Sequence, residues 1–486
     1  MSLRFHNQLT KRVDDFTPQQ AGAVSLYTCG PTVYNHLHVG NWAAYVYWDT
    51  LVRVLTANDL TVTRVMNITD VGHLVSDGDD GEDKLEKGAR REGKTAWEVA
   101  EYYTDDFLLG MERLNLLAPE YLSKATDYID EQLALVRRLK EKGFTYQIGD
   151  GIYFDTARFP TYDDFAGLHL DAQKAGARVE FNPEKRQASD FALWKFTPAD
   201  ESRDMQWLTP SDLTDDGSEP YGFPGWHLEC SAMAMSLLGE TIDIHTGGID
   251  HIPVHHTNEI AQSEAATGKP FAHFWLHNNH LKVNGTKISK SLDNGYTLDD
   301  LIEKGFSPLD VRLLLLQSHY RSEGNFTFDN LTAAKNRRHN WRNVAALRHQ
   351  LRDQTPPTED ESTDNLTVAL HTATHALVET LSDDLNTPET FKLIDEVFRQ
   401  LTSHIPTEAH QPALQSFLKT VDALLGLALI DSTPDISDEL RQRIIQRQQA
   451  RDAKDWAASD RLRHELEESG VLIRDTADGT IWEYAA

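Results

Sequence analysis

Two cysteines, one histidine and one glutamate are the side chains best suited to hold a metal ion. Cys29 and Cys230 are the only cysteines in the 486 residues, and they lie far apart in the sequence. His255 and Glu259 are four positions apart, so a helix would bring them onto one face. Two thiolates, one imidazole and one carboxylate would complete a tetrahedral Zn²⁺ site.

The spacing of these residues leaves other interpretations open. The two cysteines are also compatible with buried structural side chains, and His255 with Glu259 is compatible with a surface pair. His251 and His256 are rival ligands because they lie close to His255 in the sequence. Spacing alone therefore does not choose one set of ligands.

Two loops carry residue types that suit phosphate binding. His38-Val39-Gly40-Asn41 leads into a helix, whose N-terminus offers backbone N–H groups and a positive dipole end to an anion. Lys287-Ile288-Ser289-Lys290-Ser291 supplies two lysines that can act as point charges on a polyphosphate. Taken alone, each segment is more often an ordinary polar or basic loop.

A glycine-rich turn adds a carboxylate to these candidates. In Gly247-Gly248-Ile249-Asp250 the glycines can admit a ligand, and Asp250 can hold its ammonium group. A plain tight turn after a strand is the commoner outcome for such a segment. Trp226 either forms a wall of this pocket or belongs to the core.

The elements around these residues predict a parallel α/β domain with a helical continuation. Residues 24–29 read as a short strand, 41–55 as an amphipathic helix and 61–68 as a second strand rich in β-branched residues. This order opens a parallel α/β unit, and strand patterns return from residue 241. The C-terminal third is dominated by amphipathic helices and ends in a hairpin over 471–484.

Composition narrows the class of protein. Hydrophobic residues make up 40% of the chain, enough for a large core, so general disorder is excluded. Apolar runs are too short for a membrane span, the N-terminus lacks a secretory pattern, and two cysteines exclude a disulfide scaffold. We therefore expect a cytoplasmic protein. Its net charge of −29 opposes non-specific nucleic-acid binding but permits a specific contact through a local basic patch.

Taken together, the motifs resemble those of the cysteinyl-tRNA synthetases, a family of class I aminoacyl-tRNA synthetases. Each motif is weak alone, whereas the ordered set is highly specific. The set comprises Cys-Gly-Pro-Thr-Val-Tyr (29–34), His-Val-Gly-Asn (38–41), Asn-Ile-Thr-Asp (67–70), Pro-Gly-Trp-His-Leu-Glu-Cys (224–230), His-His-Thr-Asn-Glu-Ile-Ala-Gln (255–262) and Lys-Ile-Ser-Lys-Ser (287–291). Further similar segments lie at 190–195, 319–322, 383–388 and 453–482.

The resemblance implies a two-step reaction with a metal. L-Cysteine and ATP, with Mg²⁺, form cysteinyl-adenylate and pyrophosphate, and the cysteinyl group then passes to the terminal ribose of tRNA(Cys). It also implies one Zn²⁺ per chain, held by Cys29, Cys230, His255 and Glu259. Four protein ligands ordinarily indicate a closed structural site, whereas the family adds the substrate thiolate as a further ligand.

The choice of zinc has a physical reason. Serine differs from cysteine by one atom, so a pocket that reads shape discriminates poorly between them. Zinc bonds a soft thiolate far better than a neutral hydroxyl, and it lowers the pKa of a bound thiol.

The resemblance also assigns roles to further residues. The catalytic set is His38, Asn41, Lys287 and Lys290. The ATP-binding set is Gly30, His38, Gly40, Asn41 and Lys290. The cysteine pocket is lined by Thr69, Trp226 and Asp250, with the ammonium group on Asp250. No covalent nucleophile or general base is expected, so catalysis consists of positioning and charge stabilisation.

Two features depart from the family pattern. Ile288 stands where methionine is usual in the lysine signature, a swap that conserves side-chain volume. Residues 72–81 are an extra segment after Asn-Ile-Thr-Asp. Its Asp77, Asp79 and Asp80 are spaced like a cation-binding loop, but we expect an acidic surface loop rather than a calcium site.

An acidic protein must offer tRNA a local basic surface. Basic residues cluster in two helical regions, at Arg337, Arg338, Arg342 and Arg348, and at Arg441, Arg443, Arg447, Arg451, Lys454, Arg461 and Arg463. They can hold a phosphate backbone, while Trp456 or Trp482 can stack on an unpaired anticodon base. Solvated helix faces and core tryptophans are the alternative interpretation.

These features predict an α/β fold with a class I synthetase Rossmann-like parallel-sheet catalytic domain, an inserted domain, a helical bundle and a small C-terminal anticodon-binding module. The expected domains are the catalytic halves 1–114 and 226–284, the inserted connective domain 115–225, the signature-loop and stem-contact region 285–330, the helical bundle 331–430 and the anticodon-recognition module 431–486. We expect a monomer without membrane contact.

Two other functions are alternatives to this one. A related ligase that joins adenylate-activated cysteine to an amino-sugar would share the adenylating core and the zinc site. The long helical C-terminus over 331–486 argues against it. A non-catalytic paralogue that binds RNA or another partner is disfavoured by the complete zinc set and by both signature loops.

Overall fold

The computed structural model describes residues 2–72, 83–167, 182–201, 203–289, 292–351, 362–403, 405–476 and 479–485. The chain divides into two compact units. The sheet unit is Ser2–Asp300 with Tyr320–Gly324, and the helical unit is Leu301–His319 with Asn325–Ala486. Lys290 and the expected acidic loop after Gly72 lie outside the described residues. The division falls within the expected 285–330 region, and the finer domain boundaries stay predictions.

The described residues form β-strands and α-helices along the whole chain. The strands are β1 (Leu3–Asn7), β2 (Arg12–Phe16), β3 (Ala23–Thr28), β4 (Thr61–Ile68), β5 (Tyr121–Lys124), β6 (Thr145–Ile148), β7 (Gly151–Phe154), β8 (Phe191–Phe196), β9 (Trp207–Leu208), β10 (Tyr221–Pro224), β11 (Ile242–Gly248), β12 (Ala272–Asn278), β13 (Leu281–Val283), β14 (Thr286–Lys287), β15 (Gly324–Phe326), β16 (Val471–Thr476) and β17 (Gly479–Tyr484). The helices are α1 (Val39–Ala57), α2 (Lys84–Glu92), α3 (Ala96–Arg113), α4 (Ile129–Glu141), α5 (Trp226–Leu238), α6 (Thr257–Thr267), α7 (Leu298–Glu303), α8 (Pro308–Leu316), α9 (Phe328–Ala345), α10 (Ser362–Ser382), α11 (Thr387–Ser403), α12 (Gln411–Leu425), α13 (Asp438–Asp452) and α14 (Trp456–Glu468).

A five-stranded parallel sheet forms the centre of the sheet unit. Its spatial order is β12-β11-β3-β4-β5, and every neighbouring pair runs parallel. Its strands are largely buried, which explains their nearly continuous apolar and β-branched sequences. The chain order reverses between β3 and β11, and ligands bind at such a switch point, outside the carboxyl ends of the strands. Cys29 directly follows β3 at this point.

An antiparallel sheet makes up the inserted part of the sheet unit, in the order β6-β7-β8-β10-β9. Its inner face shares a core with α4, α5 and α6, centred on the buried side chains of Phe154, Phe191 and Trp194. The Trp194 indole donates a 2.9 Å hydrogen bond to the Thr209 hydroxyl, which satisfies its buried N–H. The insertion is therefore packed directly onto the helices that carry predicted metal ligands.

The helical unit contains amphipathic helices and a terminal hairpin. Trp341 on α9 packs against the rings of Phe391 and Phe398 on α11, at centroid distances of 5.1 and 5.6 Å. The hairpin β16–β17 forms at the predicted place and packs against α14 through a small core that includes Leu466 and Trp482. None of the described helices is long and apolar enough to cross a membrane.

Candidate active site

The four predicted metal ligands lie together at the carboxyl end of the parallel sheet. Cys29 directly follows β3, Cys230 lies on α5, His255 on the π-helical turn before α6, and Glu259 on α6. Their ligand atoms all lie within 4.8 Å of one another. Donor atoms of a tetrahedral zinc site are about 3.3–3.8 Å apart, so a small contraction would complete the shell. Two sulfurs, a nitrogen and a carboxylate oxygen fit zinc.

A second group of potential ligands overlaps the first. Cys29 and Glu259 also lie within 4.8 Å of His245 and His256, measured between ligand atoms. The rival His256 thus belongs to a possible set, whereas His251 belongs to neither group found among the described residues. The first group has two sulfur donors and the second only one, so zinc favours the first.

Buried hydrogen bonds orient the predicted ligands. His245 Nε2 lies 2.9 Å from Glu259 Oε2, and His255 Nε2 lies 2.8 Å from the other oxygen of the same carboxylate. The Nδ1 atoms of His227 and His255 are 2.9 Å apart. Such partners hold a metal-binding side chain in one orientation. His245 and His227 were missed from the sequence because they lie on β11 and α5, outside the spacing of the ligand motif.

Charges in the cluster are strongly coupled. Burial raises the pKa of the Cys29 thiol, whereas a hydrogen bond from Cys29, assisted by His255, lowers the pKa of Cys230 to about 6. Burial opposes the charging of His255, but Glu259 and Cys230 together outweigh it and raise the pKa of His255 to about 10. Near neutral pH the metal-free cluster therefore holds one thiolate beside an imidazolium and a carboxylate.

The His38–Asn41 segment begins helix α1 as a reciprocal capping box. The Asn41 N–H donates to His38 Nδ1 at 3.2 Å, and the His38 N–H donates to Asn41 Oδ1 at 3.2 Å. Both predicted ATP contacts are thereby held at the N-terminus of a 19-residue helix. A Cβ atom on Gly40 would lie 2.7 Å from the Ile288 side chain, so the two signature loops are neighbours.

A hairpin presents the lysine signature. Asn284 and Gly285 both have positive φ angles, of 50° and 74°, as the tight turn between β13 and β14 requires. Asn294 then ties the loop down, because its amide donates to the Lys287 carbonyl at 3.2 Å and its oxygen accepts from the Ser289 N–H at 2.9 Å. The exposed Lys287 begins this tied segment, and Lys290 lies just past the described part.

Of the residues predicted for the cysteine pocket, Trp226 packs directly against the metal cluster. The ring of Trp226, the first residue of α5, lies 4.5 Å from the ring of His255 between centroids. Thr69 is buried beside the end of β4, and its hydroxyl lies 3.4 Å from a carboxylate oxygen of Glu229. Asp250 is exposed, on the short turn after β11. These three side chains come from three different elements of the sheet unit.

Gly30 is packed too closely for any other residue. A Cβ atom here would lie 1.6 Å from the backbone oxygen of Asn67. The Gly30 N–H donates a 2.7 Å hydrogen bond to the Asn67 side chain. Gly30, which is predicted to bind ATP, thus connects the end of β3 to the end of β4 next to Cys29.

All four arginines of the first basic cluster are engaged within the helical unit. Arg338 pairs with the buried Asp310 at 2.7 Å, Arg337 pairs with Asp395, and Arg348 donates to the backbone oxygens of residues 345, 430 and 433. Arg342 likewise donates to the carbonyl of Ser432 at 2.8 Å. These contacts favour a structural role for this cluster.

The C-terminal basic cluster contains paired arginines and a more open turn. The arginines at 441, 443, 447, 451, 461 and 463 each lie within 4.0 Å of an acidic side chain. Lys454 is exposed in the turn between α13 and α14. The two candidate tryptophans differ sharply, because Trp456 is 60% exposed and Trp482 only 4%. A base can therefore reach Trp456, whereas Trp482 belongs to the core.

Comparison with known proteins places these features in context. Residues 15–336 match the family model "tRNA synthetases class I (C) catalytic domain", and residues 433–482 match "Cysteinyl-tRNA ligase anticodon binding domain". The chain is 39% identical to a cysteine–tRNA ligase of Treponema denticola, over 99% of this chain and 100% of that protein. It is 41% identical to cysteine–tRNA ligase 1 of Burkholderia lata, over 99% and 96%.

Solved structures share the fold at low identity. Methionyl-tRNA synthetase of Mycobacterium tuberculosis, in complex with methionyl-adenylate, has a TM-score of 0.57 at 14% identity, covering 85% of this chain and 91% of that one. The LeuRS–tRNA–LeuAMS ternary complex of Agrobacterium radiobacter has a TM-score of 0.61 at 12% identity, covering 86% and 85%. These two likenesses concern the fold alone.

Proposed function

Because the chain belongs to the cysteine–tRNA ligase family of class I synthetases, we propose that its site activates L-cysteine with ATP and transfers the cysteinyl group to tRNA(Cys). The observation that carries the assignment of the amino acid is the convergence of Cys29, Cys230, His255 and Glu259. These four side chains would hold the metal, which we take to be Zn²⁺ from their donor chemistry. A bound Zn²⁺ supplies a preference for a thiolate over a hydroxyl and lowers the pKa of the thiol.

Cysteine activation needs orientation and charge stabilisation from the protein. An oxygen of the cysteine carboxylate attacks the α-phosphorus of ATP, and pyrophosphate leaves with the electrons of the broken P–O bond. The nucleophile is already ionised, so this step needs no general base. His38 and Asn41 at the α1 N-terminus would orient the phosphates, while Lys287 and Lys290 would stabilise the charge that develops on them, with Mg²⁺ bound to ATP.

The amino-acid pocket would recognise the other groups of cysteine. Asp250 is an exposed carboxylate at the end of β11, suited to the substrate ammonium, and Thr69 offers a buried hydroxyl. Trp226 forms a rigid wall because its ring packs on His255. On the nucleotide side, Gly30 and Gly40 leave room where a side chain would collide with neighbouring atoms.

The tRNA contact would be local, because the whole chain carries a net charge of −29. Trp456 is the better candidate for stacking on an anticodon base, since it is 60% exposed and follows the exposed Lys454 closely. We further propose that the protein works as a cytoplasmic monomer. The amino-sugar ligase is not favoured, because residues 433–482 match an anticodon-binding domain.

Cysteine-dependent ATP–pyrophosphate exchange, measured together with metal content, tests this function. We expect zinc near one equivalent per chain, exchange with cysteine and little exchange with serine. Charging assays with tRNA(Cys) and with a sugar amine then separate the two ligases. Exchange that is equal with serine and cysteine, or transfer to the sugar alone, would contradict the proposal.

A further inference from the structure

Three buried polar side chains form a hydrogen-bonded chain beside the candidate cysteine pocket. Asn67, Thr69 and Glu229 are 1%, 2% and 0% exposed. Asn67 Oδ1 accepts from the Gly30 N–H at 2.7 Å, and Asn67 Nδ2 donates to Thr69 Oγ1 at 3.1 Å. The Thr69 hydroxyl lies 3.4 Å from Glu229 Oε2. This chain links the loop after Cys29 to the pocket.

The direction of the chain follows from its first donor. A backbone N–H can only donate, so Asn67 must turn its carbonyl oxygen to Gly30 and its NH₂ group to Thr69. One lone pair of the Thr69 oxygen is then occupied, and the hydroxyl hydrogen points to the nearby oxygen of Glu229. The second lone pair of Thr69 remains for a ligand.

Backbone contacts keep this arrangement in place. The Thr69 N–H donates to the Pro31 carbonyl at 3.0 Å, and the Val33 N–H donates to the Thr69 carbonyl at 3.2 Å. The Gly30 backbone packs directly on that of Asn67, as the forbidden Cβ position shows. The hydroxyl is therefore oriented before any substrate binds, which reduces the ordering that binding requires.

We propose that Asn67 is a positioning residue for amino-acid binding, because it holds the Thr69 hydroxyl as a hydrogen-bond acceptor for the substrate ammonium group. The inference rests on the proposed function, since it takes Thr69 to line the cysteine pocket. An ammonium group can only donate, so a hydroxyl that rotated freely would present its hydrogen to the ligand part of the time. Glu229 accepts the hydroxyl hydrogen at 3.4 Å, and Asn67 fixes the position of the Thr69 oxygen by donating to it at 3.1 Å, without touching the substrate.

Equilibrium binding to the zinc-loaded protein tests the proposal with two ligands. L-Cysteine and 3-mercaptopropionate share the thiol and the carboxylate, but only cysteine has an ammonium group. We expect Asn67→Ala and Thr69→Val each to weaken cysteine binding about 10- to 100-fold and to leave 3-mercaptopropionate binding unchanged. The double variant should be no weaker than Thr69→Val alone, because both changes remove one interaction. Thr69→Ser should keep the preference for cysteine.

Asn7→Ala is a matched control. Asn7 is another buried asparagine, 4% exposed, that accepts from the Trp275 N–H at 3.1 Å and donates to the His273 carbonyl at 2.9 Å. We expect this variant to melt earlier while it keeps the preference of the wild type for cysteine over 3-mercaptopropionate.

Two results would overturn the inference about Asn67. One is an equal loss of affinity for cysteine and for 3-mercaptopropionate in Asn67→Ala. The other is a double variant whose loss of cysteine affinity equals the sum of the losses in Asn67→Ala and Thr69→Val. If Asn67→Ala does not fold, Thr69→Val still decides, because unchanged cysteine binding in this nearly isosteric variant removes the basis of the proposal. Failure of the proposed function looks different, since the wild type itself would then show no cysteine-dependent exchange.

Discussion

Replacing Cys230 by serine tests which group of side chains holds the metal. Cys230 and His255 belong only to the two-sulfur group, whereas His245 and His256 belong only to the one-sulfur group. The Cys230→Ser change keeps the size of a side chain that is 2% exposed, so the fold should be preserved while a soft ligand is lost. The variant therefore reports on the metal with little structural damage.

The expected loss of affinity follows from the number of ligands. Protein zinc sites with four ligands bind with about 10–16 kcal/mol, or about 2.5–4 kcal/mol for each ligand on average. Losing one ligand should then weaken zinc binding about 100- to 1,000-fold. In the two-sulfur group His256 is an outer partner of Cys29, at 3.4 Å, so His256→Gln should cost at most about 10- to 100-fold in zinc affinity.

Competition with a chelator of known affinity measures these losses, and cobalt substitution counts the sulfur ligands. We expect the sulfur-to-metal absorption of the Co²⁺ protein to fall by about half in Cys230→Ser, because one of two thiolates is lost. His256→Gln should leave that absorption unchanged. The opposite result, with full absorption and affinity in Cys230→Ser and a large loss in His256→Gln, would refute the two-sulfur group.

Three further predictions concern catalysis, tRNA binding and the pH dependence of zinc affinity. Lys290→Ala should slow pyrophosphate exchange about 100- to 1,000-fold with little change in the KM for cysteine, because a charge stabiliser acts in the transition state; a pure loss of cysteine affinity would contradict its role. Trp456→Ala should raise the KM for tRNA(Cys) about 5- to 150-fold without a change in Tm, whereas Trp482→Ala should cost about 3–5 kcal/mol of stability, as thermal melts can show. Burial raises the pKa of Cys29. Burial also opposes the charging of His255, but Glu259 and Cys230 together raise its pKa to about 10, so both groups are protonated at pH 7 in the metal-free site. Zinc must then displace two protons, and its affinity should fall about 100-fold for each pH unit lowered near neutrality, whereas a flat profile in chelator titrations would exclude this protonation state.

The sequence determined the class of fold and the chemistry of the site. Strand β4 occupies residues 61–68 as predicted, since β-branched side chains suit a buried strand and mark it locally. The predicted helix over 41–55 extends over Val39–Ala57, and the His38–Asn41 capping box explains why it begins two residues earlier. The two cysteines and the spacing of His255 and Glu259 predicted a possible metal site.

Only the tertiary structure decided which side chains meet. His245 and Asn67 lie in the middle and near the end of buried strands, where nothing in the local pattern separates a core polar residue from one that orients a ligand. The sequence alone did not distinguish Trp456 from Trp482 as a stacking residue. Packing leaves Trp456 exposed and buries Trp482. The physical reason is that periodicity and capping act over a few residues, whereas a site depends on contacts between elements that are distant in the chain.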